Sequence, residues 1–273
     1  VHPEVTIAIN SYKSPDLLRS CLQSLQEFLP GSGIAYEVIV ADSATEDDTR
    51  RVVEDFPEVR FYPFEQNVGF KSLVNASIRE ARGQYIFLIN SDIILKGDTV
   101  PLLLAYAKEH PETGLIGPKQ FGFNGAHQNS CFRFYRPQTI LYRRTFLGKT
   151  AFGKKHLAWF EMHDKRETTE PIPVEWLMGS ALFVSKAHAD QIGPMDNRFF
   201  MYMEDVDWSR RFWEAGLRVV YYPAASVYHY HQKGSAKGGF FRSLFFNRLT
   251  RYHIASAVKY FWKYRHRKEP KIF

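Results

Sequence analysis

The chain has 273 residues, of which 45% are apolar and 24% are charged, and its formal net charge at pH 7 is +7. This length and apolar content suffice for one large domain or two small ones, and they exclude a disordered chain or a disulfide-stapled mini-protein. The two cysteines, Cys21 and Cys131, suit a reducing compartment, and one disulfide between them is also compatible with the sequence.

The positive charge is concentrated at the carboxyl end of the chain. Residues 231–273 contain eleven Lys or Arg and one acid, whereas residues 1–230 contain 25 basic and 28 acidic residues. A basic tail of this kind favours an anionic partner, such as a membrane surface, a nucleic acid or a phosphorylated substrate.

Short apolar segments alternate with amphipathic segments along the chain. The pattern predicts strands over residues 5–9, 36–41, 59–62, 84–89, 114–117, 174–184 and 218–222. It predicts helices after Ser14, after Thr45, from the turn at Asn67–Phe70 through Ala81, over 98–110 and over 207–215. This alternation favours an α/β fold with a mostly parallel sheet flanked by helices. The segment from Gln120 to Pro171 has weak periodicity, and the aromatic, basic tail follows Gly239.

Polar side chains follow three of the predicted strands, at the points where those strands end. They are Asn10 with Ser11, then Asp42, then Asn90 with Asp92. Because ligands of open parallel sheets bind at the carboxyl ends of the strands, we expect these side chains to gather at one edge. The sequence contains neither the Gly-rich dinucleotide fingerprint nor the phosphate-binding P-loop pattern, which argues against both of those sites.

The triplet Asn90-Ser91-Asp92 is a candidate metal site. Mg²⁺ and Mn²⁺ typically take one or two carboxylates from a protein, and phosphate oxygens and water complete the coordination shell. A single Asp therefore suffices if the substrate is a diphosphate. The alternative interpretation is an Asx turn or a helix cap.

A second acidic group, Glu204-Asp205-Val206-Asp207, follows the aromatic run from Phe199 to Met203. Aromatic surroundings desolvate a carboxylate and raise its pKa, which suits a general base. The alternative is an ordinary acidic first turn of a helix. His229 and His231 lie two residues apart and face the same way if they are on a strand, although a lone His more often packs in the core than binds a metal.

Two further segments carry candidate binding residues. The segment from Asn67 to Phe70, which precedes a helix, is able to present backbone N–H groups to an anion, or it is a plain turn. Residues 131–155 contain seven basic residues, no acid and six interleaved aromatic residues. Their Arg side chains (Arg133, Arg136, Arg143 and Arg144) suit a lipid-linked pyrophosphate, and the alternative is a solvated loop with its own small apolar cluster.

Taken in order, these motifs resemble those of the family 2 inverting glycosyltransferases with the GT-A fold, especially the bacterial rhamnosyltransferase-like branch. The resemblance runs from Val5 to about Ser235. It is carried by the segments Ser11–Leu18, Ala41–Asp47, Asn67–Phe70 with Asn75, Asn90–Asp92, Trp176–Ser180 and Phe199–Trp208, followed by Gly216, Pro223 and His229. Two positions depart from the family pattern: Asn90 replaces the first Asp of the D-x-D element, which removes a charge from the metal site, and Lys13 replaces the usual Asn.

The resemblance implies a role for each matched residue. Asp205 corresponds to the catalytic base, and Asp92 and His229 to the metal ligands, with His231 as the alternative to His229. The nucleotide-sugar site would comprise Ser11, Tyr12, Asp42, Asn67, Gly69, Asn75, Asn90 and Ser91. The acceptor site would comprise Trp176, Gly179, Glu204 and Arg136.

The resemblance also implies a domain organisation and a reaction. The GT-A catalytic domain would span residues 1–238, with a nucleotide-sugar part over 1–118 and an acceptor part over 119–238, and residues 239–273 would form a basic amphipathic extension. With Mg²⁺ or Mn²⁺ as cofactor, the enzyme would transfer a sugar, with rhamnose favoured, from a dTDP, UDP or GDP donor to a hydroxyl of a glycan or lipid-linked acceptor during cell-surface polysaccharide synthesis.

The extension would bind an anionic membrane surface, so we expect a cytoplasmic protein held peripherally on the inner face of the plasma membrane. Two other classes fit parts of the sequence. A sugar-1-phosphate nucleotidyltransferase usually has a Gly-rich basic loop near its start, where this chain offers only Lys13. A non-catalytic nucleic-acid-binding protein would account for the basic and aromatic residues but not for the acids and the His.

Overall fold

The computed structural model describes residues 2–165, 167–230 and 248–272. The strands are β1 (Val5–Ser11), β2 (Tyr36–Ser43), β3 (Val59–Phe64), β4 (Tyr85–Asn90), β5 (Ile93–Leu95), β6 (Thr113–Phe121), β7 (His127–Gln128), β8 (Cys131–Phe132), β9 (Ile172–Pro173), β10 (Trp176–Leu177), β11 (Ala181–Ser185) and β12 (Arg218–His229). The helices are α1 (Pro15–Phe28), α2 (Asp47–Glu54), α3 (Phe70–Glu80), α4 (Thr99–Glu109), α5 (Pro137–Arg144), α6 (Ala151–Phe160), α7 (Lys186–Ile192), α8 (Glu204–Glu214) and α9 (Arg248–Tyr264).

The central sheet has the strand order β3-β2-β1-β4-β11-β6-β12-β5, with β7 beside β6 and β9 beside β12. Its first half is parallel, as the alternation of strands and helices predicts. Ser11 lies opposite Asp42, and Asn10 lies opposite Asn90. The polar strand ends that the sequence places apart are therefore neighbours at one edge.

The second half of the sheet mixes strand directions. Strand β11 runs antiparallel to both β4 and β6, whereas β12 runs parallel to β6 and antiparallel to β5. The predicted strand over 174–184 is divided into β10 and β11, separated by Met178, Gly179 and Ser180. The strand predicted over 218–222 continues to His229, because a bulge between Tyr222 and Ser226 accommodates Pro223 without ending the strand.

Helices cover both faces of the sheet and bury its apolar side chains. On one face, Leu18 of α1, Val52 of α2 and Leu103 of α4 pack against the strands. On the other face, Val74 of α3 and Trp208 of α8 do so. Burial of whole apolar side chains at about 1.5–3 kcal/mol each makes these two layers the main source of stability. Both cysteines are buried here as free thiols, so no disulfide joins them.

The segment with weak periodicity folds as a small aromatic module. Helices α5 and α6 pack against each other beside the two-stranded sheet of β8 and β10. The rings of Phe132 and Trp176 stack with centroids 4.4 Å apart, and Phe160 packs beside them. Pro137 is a sequence signal for the start of α5, because proline is favoured in the first helical turn, where its missing N–H costs no hydrogen bond.

Helix α9 packs against the body of the protein, so its described part is not a free-standing surface helix. Tyr260 and Tyr264 are buried, and the Tyr264 hydroxyl donates a 2.9 Å hydrogen bond to buried Asp207 of α8. Lys263 forms ion pairs with the same Asp207 and with Asp196. Trp262 remains 67% exposed. The described residues include no helix with the length and apolar content needed to cross a membrane.

Candidate active site

A cleft of about 900 Å³ opens at the carboxyl ends of the parallel strands. Most of the residues that the sequence nominates line this cleft, although they come from six separate segments. They are Ser11, Tyr12, Asn67, Gly69, Asn90, Ser91, Asp92, Trp176, Gly179, Glu204, Asp205 and His229.

Asp92 and His229 meet at one end of the cleft. The His229 Nε2 atom lies 3.5 Å from the Asp92 Oδ2 atom. The backbone creates this contact, because β12 pairs with β5 so that His229 lies opposite Ile93, and the Tyr230 N–H donates to the Asp92 carbonyl. His229 is 3% exposed, and the strand therefore fixes the position of its ring.

This end of the cleft fits a divalent cation. The Oδ1 atoms of Asp92 and Asn90 are buried and have no hydrogen-bond partner among the described residues. Carboxylate, amide and imidazole groups are all ligands for Mn²⁺ or Mg²⁺. In the part of the chain that the structure describes, no group of three or more His, Cys, Asp or Glu residues surrounds a single point. A cation bound by Asp92 and His229 would therefore need further ligands from a substrate or from water.

The loop after β1 is joined to the end of the cleft that contains Asp92. Ser14 occupies the N-cap position of α1, but its hydroxyl makes no capping hydrogen bond to the helix. The hydroxyl lies instead 2.9 Å from the Ser91 hydroxyl. Lys13 has a positive φ of 49° and forms an exposed ion pair with Glu46 at the start of α2. The residue that departs from the family pattern thus connects the loops that follow β1 and β2.

Asp42 is completely buried and does not line the cleft. Both of its carboxylate oxygens, and the hydroxyl oxygen of the neighbouring Ser11, have no hydrogen-bond partner among the described residues. Burial raises the pKa of Asp42, although the nearby hydroxyls of Ser11 and Thr45 favour its charged form. A buried carboxylate with no well-formed hydrogen bond is costly, which is a reason to expect that a ligand supplies a donor.

The turn from Asn67 to Phe70 is held against the end of β2. The Asn67 Oδ1 atom accepts a 3.0 Å hydrogen bond from the Gly69 N–H, and Ser43 Oγ accepts one of 2.9 Å from the Val68 N–H. Gly69 has a φ of 75°, and a Cβ atom there would lie 2.6 Å from the Phe200 carbonyl oxygen. Only glycine therefore lets the turn approach the aromatic loop that precedes α8.

Asp205 lies in the first turn of α8 and points into the cleft. Its Oδ2 atom accepts a 3.1 Å hydrogen bond from the Gly179 N–H, and its Oδ1 atom accepts a 2.9 Å bond from the Val206 N–H. Two consecutive residues with positive φ, Tyr202 at 68° and Met203 at 69°, immediately precede the helix. Non-glycine residues in this region store backbone strain, which commonly accompanies functional sites.

Burial changes the protonation of the two adjacent carboxyl groups. It raises the pKa of Asp205 to about 6, although the amides of Gly179 and Val206 favour the charged form. Burial, and then the charge of Asp205, raise the pKa of Glu204 to about 8. At neutral pH, Asp205 is thus mainly the carboxylate and Glu204 mainly the acid.

Three nominated residues lie away from the cleft lining: buried Asp42, Asn75 and Arg136. The Asn75 amide exchanges two hydrogen bonds with the backbone of Met195, of 2.7 and 3.0 Å, and so holds α3 to the loop before α8. The Arg136 guanidinium stacks on the Trp159 ring at 4.2 Å, because Arg136 precedes α5 on its outer side. His231 and the start of the extension, residues 239–247, lie outside the described residues.

The cleft is also lined by Tyr135, Tyr202 and His253, to which the sequence motifs assign no role. Arg143 and Arg144 of the basic segment, which the sequence nominates for a lipid-linked pyrophosphate, line it as well. The acid-free run over 131–155 was a signal for the two arginines. No local pattern marks His253, because it reaches the cleft only through the packing of α9.

The family model described as "Glycosyl transferase family 2" matches residues 6–165, which is more than half of the chain. The chain belongs to glycosyl transferase family 2. The identification agrees with the resemblance seen in the sequence motifs, and it makes the protein a glycosyltransferase with its cleft at the expected edge of the sheet.

Two relatives within this group are rhamnosyltransferases. The chain is 31% identical over 224 residues to the N-acetylglucosaminyl-diphospho-decaprenol L-rhamnosyltransferase of Mycobacterium tuberculosis, covering 76% of this chain and 71% of the relative. It is 24% identical over 273 residues to the rhamnosyltransferase WbbL of Escherichia coli, covering 94% of this chain and 92% of the relative.

Solved glycosyltransferases share the GT-A fold of this chain. One is the mannosyltransferase PcManGT from Pyrobaculum calidifontis, in complex with GDP-Man and Mn²⁺, with a TM-score of 0.59 at 16% identity, covering 95% of this chain and 65% of that chain. Another is TarS from S. aureus, with a TM-score of 0.56 at 15% identity, covering 83% of this chain and 60% of that one. At these identities, the likeness concerns the fold.

The Gly69 turn provides a test of the cleft geometry. We expect Gly69→Ala to destabilise the protein and to weaken nucleotide binding, because the new methyl group meets the Phe200 carbonyl. The matched control is Gly193→Ala, since Gly193 has a similar φ of 77° but no atom within 4 Å of the added Cβ. Thermal unfolding and nucleotide titration of both variants separate the steric effect from the conformational cost of about 1–3 kcal/mol that both share. Equal nucleotide affinity in the two variants would contradict the proposed role of this turn.

Proposed function

We propose that this family 2 enzyme is an inverting, cation-dependent rhamnosyltransferase that uses a dTDP-linked donor and a lipid-linked glycan acceptor in cell-surface polysaccharide synthesis. The observation that carries the proposal is the presence of Asp92, His229 and Asp205 in one cleft, which brings a cation site and a base into one chamber. The similarity to two rhamnosyltransferases supports the choice of sugar.

The donor base would bind near the ends of β1 and β2. The carboxylate of Asp42 suits the imide N–H of thymine or uracil, and guanine also offers a ring N–H. Asp42 is buried opposite Ser11, which lines the cleft, so this contact requires that the carboxylate become exposed when the donor binds. Tyr12, which is 47% exposed, offers an aromatic face beside these strand ends. The favoured base is thymine, because of the rhamnosyltransferase relatives, and the UDP and GDP donors are the alternatives to test.

Asp92 and His229 would hold the cation, and the side-chain amide oxygen Oδ1 of Asn90 would be a further ligand. A bound Mg²⁺ or Mn²⁺ supplies charge neutralisation for a diphosphate leaving group. Because Asn90 replaces a carboxylate, the site has one negative charge fewer than a D-x-D site, and we expect weaker cation affinity for that reason.

Asp205 would act as the general base. Its carboxylate takes the proton of the acceptor hydroxyl while that oxygen forms a bond to the anomeric carbon of the sugar. The bond between that carbon and the diphosphate oxygen breaks, and the nucleoside diphosphate leaves with the electron pair. One displacement inverts the anomeric centre, and base assistance of this kind contributes roughly 10²–10⁴-fold to the rate.

The carboxyl-terminal extension would bring the enzyme to an anionic membrane surface on the cytoplasmic side, where a lipid-linked acceptor is held. In the described part of the extension, exposed Trp262 and Val258 are available for this contact, whereas Tyr260 and Tyr264 are committed to the core of the protein. The proposed membrane contact thus involves fewer apolar side chains of the extension than its amphipathic sequence pattern alone implies.

Donor identity and metal dependence are tested together. We expect dTDP-rhamnose with Mn²⁺ to raise the thermal midpoint of the protein more than UDP- or GDP-sugars do, and the shift to disappear in excess chelator or in Asp92→Ala. NMR of the product from a glycosyl-diphosphate-lipid acceptor would show an inverted anomeric centre. Full activity in excess chelator would contradict the proposed cation dependence. Release of pyrophosphate from a nucleoside triphosphate and a sugar phosphate would show a nucleotidyltransferase and contradict the proposed sugar transfer.

The division of labour between the two carboxyl groups gives a second test. Asp205→Asn should lower kcat by roughly 10²–10⁴-fold with donor affinity preserved. Glu204→Gln should lower kcat by less than about tenfold at pH 7, because the amide resembles the neutral carboxylic acid of Glu204. In the parent enzyme, kcat/KM should rise with pH with an apparent pKa near 6, since Asp205 must lose its proton. A parent-like rate in Asp205→Asn would show that another group is the base.

A further inference from the structure

Two adjacent guanidinium groups, Arg143 and Arg144 at the end of α5, line the cleft together with Tyr135. Burial, and to a smaller extent the charge of Asp205, raise the pKa of the Tyr135 hydroxyl, which indicates that the base and this tyrosine are electrostatic neighbours. The two arginines therefore belong to the part of the cleft where Asp205 would meet the acceptor.

Aromatic and neutral groups hold both arginines in place. Arg143 donates a hydrogen bond to the Tyr135 hydroxyl, and its guanidinium lies 5.6 Å from the centroid of the Phe160 ring. Arg144 is hydrogen-bonded to Nδ1 of His253, which is 4% exposed. Burial, together with the charges of Arg144 and Arg143, lowers the pKa of His253 to about 3. This ring is thus neutral and accepts the hydrogen bond from Arg144.

The arrangement concentrates positive charge. Burial, and then the charge of Arg143, lower the pKa of Arg144, as expected for two positive charges held close together. Residues 131–160 contain seven Lys or Arg and no acid, so the segment itself supplies no compensating charge. A pair of planar guanidinium groups in a partly desolvated cleft is a favourable site for phosphate oxygens.

We propose that Arg143 and Arg144 bind the diphosphate of a lipid-linked acceptor. The inference deepens the proposed function and rests on it for the identity of the ligand as an acceptor. The donor diphosphate is assigned to the proposed cation site of Asp92 and His229, and the arginine pair lines the same cleft of about 900 Å³ with different residues. The four arginines of the basic segment thus form two groups. Arg143 and Arg144 line the cleft, whereas Arg133 and Arg136 lie over the Trp159 ring.

The surroundings of the pair favour a lipid diphosphate over a free one. The hairpin formed by α5 and α6 exposes Leu141, Phe146 and Phe152, whose exposed fractions are 47%, 77% and 81%. Exposed apolar side chains of this size are unusual on a soluble surface and suit contact with a lipid chain. The same short hairpin thus offers charge for the diphosphate and apolar surface for the chain attached to it.

Calorimetric titration with farnesyl diphosphate tests the site without catalysis. We expect the full chain to bind this probe in the presence of saturating dTDP and Mn²⁺, because the donor diphosphate is assigned to Asp92 and His229 and not to the arginine pair. Arg143→Gln and the double variant with Arg144→Gln should bind it about 10- to 100-fold more weakly, and farnesol should bind the parent protein and the variants equally. Lys154→Gln, a loss of one exposed charge on α6, is the matched control and should keep the parent affinity.

Three results would overturn the inference. They are loss of farnesyl diphosphate binding when dTDP and Mn²⁺ are added, parent-like affinity in Arg143→Gln, and an equal loss in Lys154→Gln. Arg143 is exposed, so its single variant remains informative if the double variant fails to fold.

In the transfer assay, the variants should have a higher KM for the acceptor and a KM for the donor within twofold of the parent value. A higher donor KM instead would assign the arginine pair to the donor. If probe binding behaves as expected while the parent enzyme transfers no sugar, the proposed function fails and the lipid-diphosphate site stands.

Discussion

The antiparallel pairing of β12 with β5 is the constraint on which the rest of the site depends. It holds His229 beside Asp92, although the two residues are far apart in the sequence. The pairing exists because β12 leaves a regular register with β6 at the Tyr222/Ser226 bulge and continues beyond it. A straight strand that ended at Tyr222 would leave Asp92 as an isolated carboxylate. The proposed cation site is therefore a product of sheet topology and not of any local motif.

The site also lowers the stability of the fold that builds it. Asp42, Glu204 and Asp205 all have a pKa raised by burial, so the folded protein binds their protons more tightly than the unfolded chain does. Their contribution to the free energy of unfolding is most favourable below the ordinary carboxyl range. It is lost as the pH rises through the folded values of about 6 for Asp205 and 8 for Glu204. Ligands that donate to, or neutralise, these groups recover part of that loss.

The strained backbone before α8 also lowers the stability of the folded protein. Tyr202 and Met203 both occupy the left-handed region, at a cost of about 1–3 kcal/mol each. That cost is tolerated because buried Met203 and Phe199 are packed into the aromatic core around Trp176 and Tyr260. The result is a rigid start of α8 that directs Asp205 towards Gly179. Helix α9, through Tyr264 and Lys263 on Asp207, anchors the same helix from the opposite side.

Much of the donor half of the site could be predicted from the sequence, since short apolar runs located β1, β2 and β4, and parallel strands share one edge. Family motifs then nominated Asp205 and His229, whose positions depend on long-range packing that no local pattern encodes. The acceptor half was harder to predict. Periodicity fails in α5 and α6 because short helices packed on a small aromatic core do not show a single apolar face, and His253 joins the cleft only through the docking of α9.

The central claim is that one cleft holds a cation at Asp92 and His229 within reach of a donor diphosphate. The most direct measurement is anomalous diffraction at the manganese absorption edge from crystals grown with dTDP and Mn²⁺. The account predicts a single strong peak at bonding distance from both the Asp92 carboxylate and the His229 imidazole, next to the diphosphate. A bound nucleotide without a peak there, or with its manganese held by other residues, would contradict it.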